Sequence, residues 1–258
     1  MGVLLVSRWV HQVGTDAGQP RSPAARGSGT GDTGVMIRAV VFDLDGVLLD
    51  SERLWDEARR TVAARHHGRW RDDATTAMQG MSSAEWSKYM RDVLAVDLTP
   101  DQISDLVVAE LLERYRHGLP LIPGAVEAVR QIAARWPLAL ASSANRVVID
   151  TVLAVSGLNA EFQASVSSEE VPRGKPEPDV YLEAARRLGE SPAACAAVED
   201  SASGIRSAVA AGMQVVAVPN RDYPPPRDVV ASAQLVLDSL PELTVDLLGQ
   251  LGHGEPAS

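Results

Sequence analysis

The chain has 258 residues, enough for one or two domains with a real core. Its net charge of −10 argues against a surface made for nucleic acid or anionic membrane, and no stretch approaches the ~20 apolar residues that a membrane helix needs. The single cysteine, Cys195, excludes an internal disulfide, reads as a small buried hydrophobe in Cys195-Ala196-Ala197-Val198, and suits a reducing cytoplasm, the expected location.

Residues 1–10 are mildly apolar, but no basic stretch precedes them and Arg8 interrupts them, so no signal peptide is expected. Residues 14–34 are rich in Gly, Ser, Thr, Pro and Arg and bury too little apolar surface to offset ordering. Residues 1–35 are therefore read as a disordered extension. Within them, Gly27-Ser28-Gly29-Thr30-Gly31 lacks the preceding strand and following Lys-Ser/Thr of a phosphate-binding loop, and reads as flexible chain.

Order is expected from Met36. Residues 37–42 form an apolar, β-branched run, as a buried parallel strand requires. Residues 53–119 hold no strand run and read as helices over 54–66, 84–96 and 100–116, the last capped by Thr99 with Pro100 in its first turn. Strand runs return at 138–141, 195–198, 215–218 and 235–237, with a weaker one at 164–167. Helical stripes separate them: Val126, Val129, Ala133 and Trp136; Val148, Thr151, Val152 and Val155; Val180, Ala184 and Leu188; Ile205, Ala208 and Val209. Gly157, Gly189 and Gly212 stand where left-handed caps are wanted. The pattern predicts an α/β fold: a Rossmann-like parallel sheet core over 36–52 and 120–248, with a helical cap over 53–119 inserted after the first strand.

Four motifs follow predicted strands. Asp43-Leu44-Asp45-Gly46 comes first; residues two apart point the same way in extended chain, so Asp43 and Asp45 face one cleft. One carboxylate can attack phosphorus while the other handles the leaving group's proton. Alone, the pair reads equally as a capping turn. Ser142-Ser143-Ala144-Asn145 offers hydroxyls and free N–H groups for an anion, or a plain N-cap. Gly174-Lys175-Pro176-Glu177-Pro178-Asp179 holds one lysine in a stiff loop, a point charge for a phosphoryl oxygen, with Asp179 read as a helix cap. Glu199-Asp200-Ser201 sets two carboxylates at a strand's end, where they repel unless a hard cation joins them; Asp200 or Ser201 suits the N-cap of the next helix. The four together make up a phosphoryl-transfer kit.

With these motifs the chain resembles the haloacid dehalogenase-like superfamily, over about residues 36–245. The insert resembles the helical cap of the subgroup with β-phosphoglucomutases, phosphoglycolate phosphatases and sugar-phosphate phosphatases. The resemblance implies Mg2+ as cofactor and a phosphoaspartate mechanism. Asp43 would be the nucleophile and a metal ligand. Asp45 would be the general acid/base and a metal ligand through its carbonyl. Ser142, the amide of Ser143 and Lys175 would hold the phosphoryl group, and Glu199 and Asp200 would complete the metal site.

Asp45 and Glu199-Asp200 favour phosphate chemistry over dehalogenation, which needs neither proton nor metal. β-Phosphoglucomutases carry a histidine soon after the Asp-Ser/Thr of the first motif; here Asp50-Ser51 leads into Glu52-Arg53-Leu54-Trp55, and His66 and His67 come a helix later. The expected enzyme is a phosphatase of small phosphorylated metabolites, sugar phosphate or phosphoglycolate-like. A phosphomutase is the alternative, and a non-catalytic binding protein on the same fold the remote one. The partner is a small phosphate ester, with neither nucleic acid nor membrane. In the cap, the loop Gln79-Gly80-Met81-Ser82-Ser83 is expected to reach the core. Arg69, Trp70, Arg71, Trp86 and Lys88 are candidates for reading substrate, against the plainer alternative of cap packing or solvated surface.

Overall fold

Side chains alternate across a strand, and β1 (Ala39–Phe42) shows what that requires at the centre of a sheet. Val40 and Phe42 enter one apolar core, Ala39 and Val41 the other, and all four are buried. A strand covered on both faces must be apolar throughout, which is why it reads as a continuous run. The computed structural model describes residues 36–251 apart from Asp222; the expected extension over 1–35, with its glycine-rich stretch and the apolar residues 1–10, lies outside the described residues.

Five more strands join it: β2 (Leu138–Ser142), β3 (Phe162–Ser167), β4 (Cys195–Glu199), β5 (Gln214–Ala217) and β6 (Leu235–Val236). All pair in parallel, in the order β3-β2-β1-β4-β5-β6. From β1 the chain fills one side of the sheet and later the other. A cleft therefore opens at the carboxyl ends of β1, β2 and β4, where such sheets bind ligands. Cys195 is buried in β4, as its apolar neighbours predict.

Four helices follow β1: α1 (Glu52–Arg65), α2 (Ala74–Met78), α3 (Ser83–Asp92) and α4 (Pro100–Tyr115). Thr99 caps α4, accepting from the Gln102 amide, with Pro100 in the first turn. Ser82 caps α3 reciprocally with Glu85. The helix expected over 84–96 stops at Asp92. The short α2 escapes the pattern because five residues give too little periodicity to read. This helical block shares an apolar core with the α/β part. The core that holds Phe42 and Leu44 runs on through Trp55, Met78, Trp86 and Met90, and Ser83 Oγ donates to Asn145 Oδ1 at 2.6 Å.

The remaining helices are α5 (Ala125–Ala133), α6 (Arg146–Ser156), α7 (Asp179–Leu188), α8 (Ala202–Ala210), α9 (Arg227–Val230) and α10 (Val245–Gln250). Three expectations need correction. Val155 and Val209 are exposed, at 61% and 40%, on the outer flanks of α6 and α8. Trp136 lies beyond the end of α5 and is fixed instead by Nε1 donating to Ile37 O at 3.0 Å. Asp179 does not cap α7; Pro178 holds the N-cap position, and Asp179 is the first helical residue, paired with Arg173 at 2.9 Å. Of the two N-caps expected for α8, Asp200 or Ser201, the structure has Ser201. Among the described residues, no helix is long and apolar enough to cross a membrane.

Candidate active site

Strand register creates the site. Phe42 lies opposite Val198, so the next residues, Asp43 and Glu199, stand side by side where β1 and β4 end. The Asp43 amide continues the ladder to Val198 O at 3.0 Å. Between the two carboxylates comes Lys175, from the loop before α7, with Nζ 2.8 Å from Asp43 Oδ1 and 2.6 Å from Glu199 Oε1. It is 4% exposed, far from an ordinary surface lysine. Burial alone would favour its neutral form, but the Asp43 and Glu199 charges outweigh that and hold the ammonium above its usual range.

Both oxygens of Glu199 are engaged. Oε1 accepts from Lys175 and, at 2.7 Å, from the Tyr181 hydroxyl; Oε2 accepts from the amides of Asp200 and Ser201 and from the Ser201 hydroxyl. Gly204 leaves space for this carboxylate at the start of α8, since a Cβ there would lie 1.7 Å from Oε1. Asp200 is held differently. Its Oδ1 is buried with no hydrogen-bond partner, and its Oδ2 lies where a Cβ on Gly46 would intrude to 1.9 Å. Gly46 has φ +84, so the turn of the first motif both needs glycine and uses its bareness to approach Asp200.

Ligand atoms of Asp43, Glu199 and Asp200 lie within 4.8 Å of one another. Burial pushes the Asp43 carboxyl up to about 8, with Lys175 opposing and Glu199 and Asp45 adding to the rise. Burial likewise drives Asp200 well above the usual carboxylate range, reinforced by Glu199 and Asp43. Two buried carboxylates share one buried lysine, and beside them the third, Asp200, keeps a buried oxygen unpaired. Donors of this hard, all-oxygen kind fit a divalent cation, which would supply the missing positive charge.

Asp45 faces the same cavity but is tethered toward the cap. Its Oδ1 accepts from the Ser51 hydroxyl and, at 3.0 Å, from Trp55 Nε1. At the end of β2, Ser142 is buried and its hydroxyl accepts from the Ala144 amide at 3.0 Å; the cavity wall there is Ser143 and Ala144. Thus Asp43, Asp45, Ser143, Lys175 and Asp200 line one cavity of about 60 Å3, while Ser142 and Glu199 sit behind its wall.

The cap closes the cavity with Gly80 and Met81, as expected of that loop, and with Trp86. Arg69, Trp70, Arg71 and Lys88 are not among its lining residues. Arg71 pairs with Asp73, Lys88 with Asp92, and Trp70 lies under the Arg60 guanidinium. Their places are taken by three residues that the sequence analysis passed over, Glu52, Trp55 and Arg59. Their spacing along α1, i, i+3 and i+7, puts an acid, an aromatic and a base on one face just after the first motif, a signal that was available. Tyr181, which braces Glu199, gave none, because it sits within an ordinary apolar stripe.

The family model for haloacid dehalogenase-like hydrolases matches residues 37–212. Hexitol phosphatase B of Escherichia coli (strain K12) is 34% identical over 226 residues, covering 83% of this chain and 97% of its own. Fructose-1-phosphate phosphatase of the same strain is 31% identical over 183 residues, covering 69% and 95%. Among solved structures, β-phosphoglucomutase from Clostridium difficile superposes with a TM-score of 0.73 at 21% identity, covering 84% of this chain and 97% of that one, a likeness of fold. On the family match and the span of these relatives, the chain belongs to the haloacid dehalogenase-like hydrolases.

Proposed function

We propose that this enzyme is a Mg2+-dependent phosphatase of small phosphorylated metabolites, sugar or polyol phosphates in the first place, acting through a phosphoaspartate on Asp43. The phosphatase class rests on the family and on relatives that are phosphatases. The observation that carries the finer assignment is the meeting of Asp43 with Lys175 and Asp200 at the mouth of the sheet, with Asp45 two residues away on the same cavity.

Asp43 attacks phosphorus in line with the ester oxygen, forming a carboxyl–phosphoryl bond as the ester bond breaks. Asp45 gives its proton to the leaving alkoxide. The same carboxylate then takes a proton from water, which attacks the phosphoaspartate and releases phosphate. Lys175 offsets the charge gathering between two anions, and Ser143 lines the wall against the phosphoryl oxygens. Asp43, the Asp45 carbonyl and Asp200 would hold the metal, which when bound neutralises phosphoryl charge and keeps Asp43 ionised. Glu199, whose oxygens are already taken, holds Lys175 and the turn into α8 in place rather than lending the metal a free oxygen.

Hydrolysis is favoured over mutation because no histidine lines the cavity among the described residues, and Trp55 donates to Asp45. The test is phosphate release from sugar phosphates, polyol phosphates, phosphoglycolate and nucleotides, with Mg2+ and with chelator. Mg2+-dependent release is expected. Trapping of phosphorylated Asp43 without any release would indicate a mutase instead.

A further inference from the structure

Arg59 is 6% exposed, yet its guanidinium makes no hydrogen bond or ion pair with any described residue, and its Nε is buried without a partner. The ring of Trp55 lies 5.3 Å and that of Trp86 5.2 Å from the guanidinium carbon, and the charges of Glu52, Asp56 and Asp45 act on it without direct contact. Buried polar groups are normally satisfied, so an unsatisfied one on a cavity wall marks where a ligand supplies the partner. Glu52 lines the same cavity and likewise makes no hydrogen bond or ion pair with a described residue. Asp43 and Lys175 line it too.

Resting on the proposed phosphatase function, we infer that Arg59 and Glu52 form the specificity subsite that reads the carbon chain of the substrate, and that the chain they read is a neutral polyol or sugar bearing one phosphate. A hydroxyl both donates and accepts. Neighbouring hydroxyls can accept from Arg59 and donate to Glu52 at once, while the C–H faces of the chain lie on the indoles of Trp55 and Trp86. A second phosphate or a carboxylate would satisfy Arg59 but would confront Glu52, and a like-charge clash of that kind is a means of rejection. Met81 adds an apolar wall that suits carbon and offers nothing to an anion.

The test compares kcat/KM for a hexitol phosphate, for phenyl phosphate and for 2-phosphoglycolate in the wild-type enzyme, R59M, R59K and E52Q. A ratio of two substrates on one preparation is independent of the fraction of enzyme that is folded. R59M is expected to lower the preference for hexitol phosphate over phenyl phosphate by roughly 10- to 100-fold, the loss of hydrogen bonds made by a charged donor. R59K should restore part of that preference. E52Q should raise phosphoglycolate relative to hexitol phosphate severalfold. If the wild type hydrolyses these esters but both ratios stay within about twofold in the variants, the subsite is overturned while the phosphatase function stands. If the wild type releases no phosphate from any ester, the function fails first and the subsite with it.

Discussion

Lys175 Nζ stands 2.8 Å from Asp43 Oδ1 and 2.6 Å from Glu199 Oε1, one buried cation shared by two buried carboxylates. Removing it takes the buried cation from Glu199 and pushes the already raised Asp43 carboxyl further toward its protonated form. K175M is predicted to lose activity and also to lose about 3–5 kcal/mol of stability at neutral pH, the scale for breaking a buried pair from one side. Chemical denaturation checks the second effect. An equally stable variant would show that the pair contributes little to folding.

The raised Asp43 carboxyl makes a prediction about pH and metal. In the unfolded chain it titrates near its ordinary 3.8, and in the fold at about 8. Between those values the folded state holds a proton that the unfolded state has released, so this group lowers stability as pH rises from about 4 to about 8. On the proposed function, Mg2+ would bind the ionised form and compete with that proton. The rise in Tm on adding Mg2+ to chelator-treated protein should therefore be larger at pH 8 than at pH 6, and should vanish in D200N.

D43N keeps the shape of the Asp43 side chain and removes the nucleophile proposed above. Turnover should fall by at least ~10^3-fold. Acid-stable labelling of the peptide around position 43 should be lost with it, while the circular dichroism spectrum stays that of the wild type.

Gly46 has no room for a methyl group, because a Cβ there would lie 1.9 Å from Asp200 Oδ2 and because φ is +84. G46A should displace Asp200, with a stability loss of about 1–3 kcal/mol from the strained backbone. Mg2+ affinity, measured by calorimetry, should weaken further than that loss would suggest, since the turn and the metal-side carboxylate move together.

Trp55 and Ser51 both donate to Asp45 Oδ1. W55F removes one donor and keeps a ring for Arg59. A roughly tenfold fall in kcat is expected, the worth of one hydrogen bond to a charged acceptor, with S51A acting in the same direction. Steady-state kinetics on phenyl phosphate, which has no hydroxyls for Arg59, separates this from substrate reading.

Much of the catalytic end of the molecule was legible in the sequence because it is local: each motif is a short string that follows a strand, and the strand is a plain apolar run. Parallel register then carries Asp43 to Glu199 with no further information. The cap was harder to read. Arg69, Arg71 and Lys88 looked like ligands because they are charged, but Arg71 and Lys88 pair on the exposed cap with the neighbouring Asp73 and Asp92. Arg59 looked like one more surface residue of a charged helix, and only the packing of α1 against α3 encloses it between Trp55 and Trp86. The state of Ser142 was equally hidden, since which hydroxyl faces the cavity depends on the turn after β2 and not on the order of residues.

The indoles that flank Arg59 also make the site visible to light. Trp55 and Trp86, with ring centroids 6.1 Å apart, sit on the wall of the cavity, one of them donating directly to the Asp45 carboxylate. Binding, cap movement or a change in the charge on Asp45 alters the surroundings of two emitting chromophores at once. Intrinsic fluorescence, read in a stopped-flow instrument without any label, should therefore follow each turnover from inside the cavity.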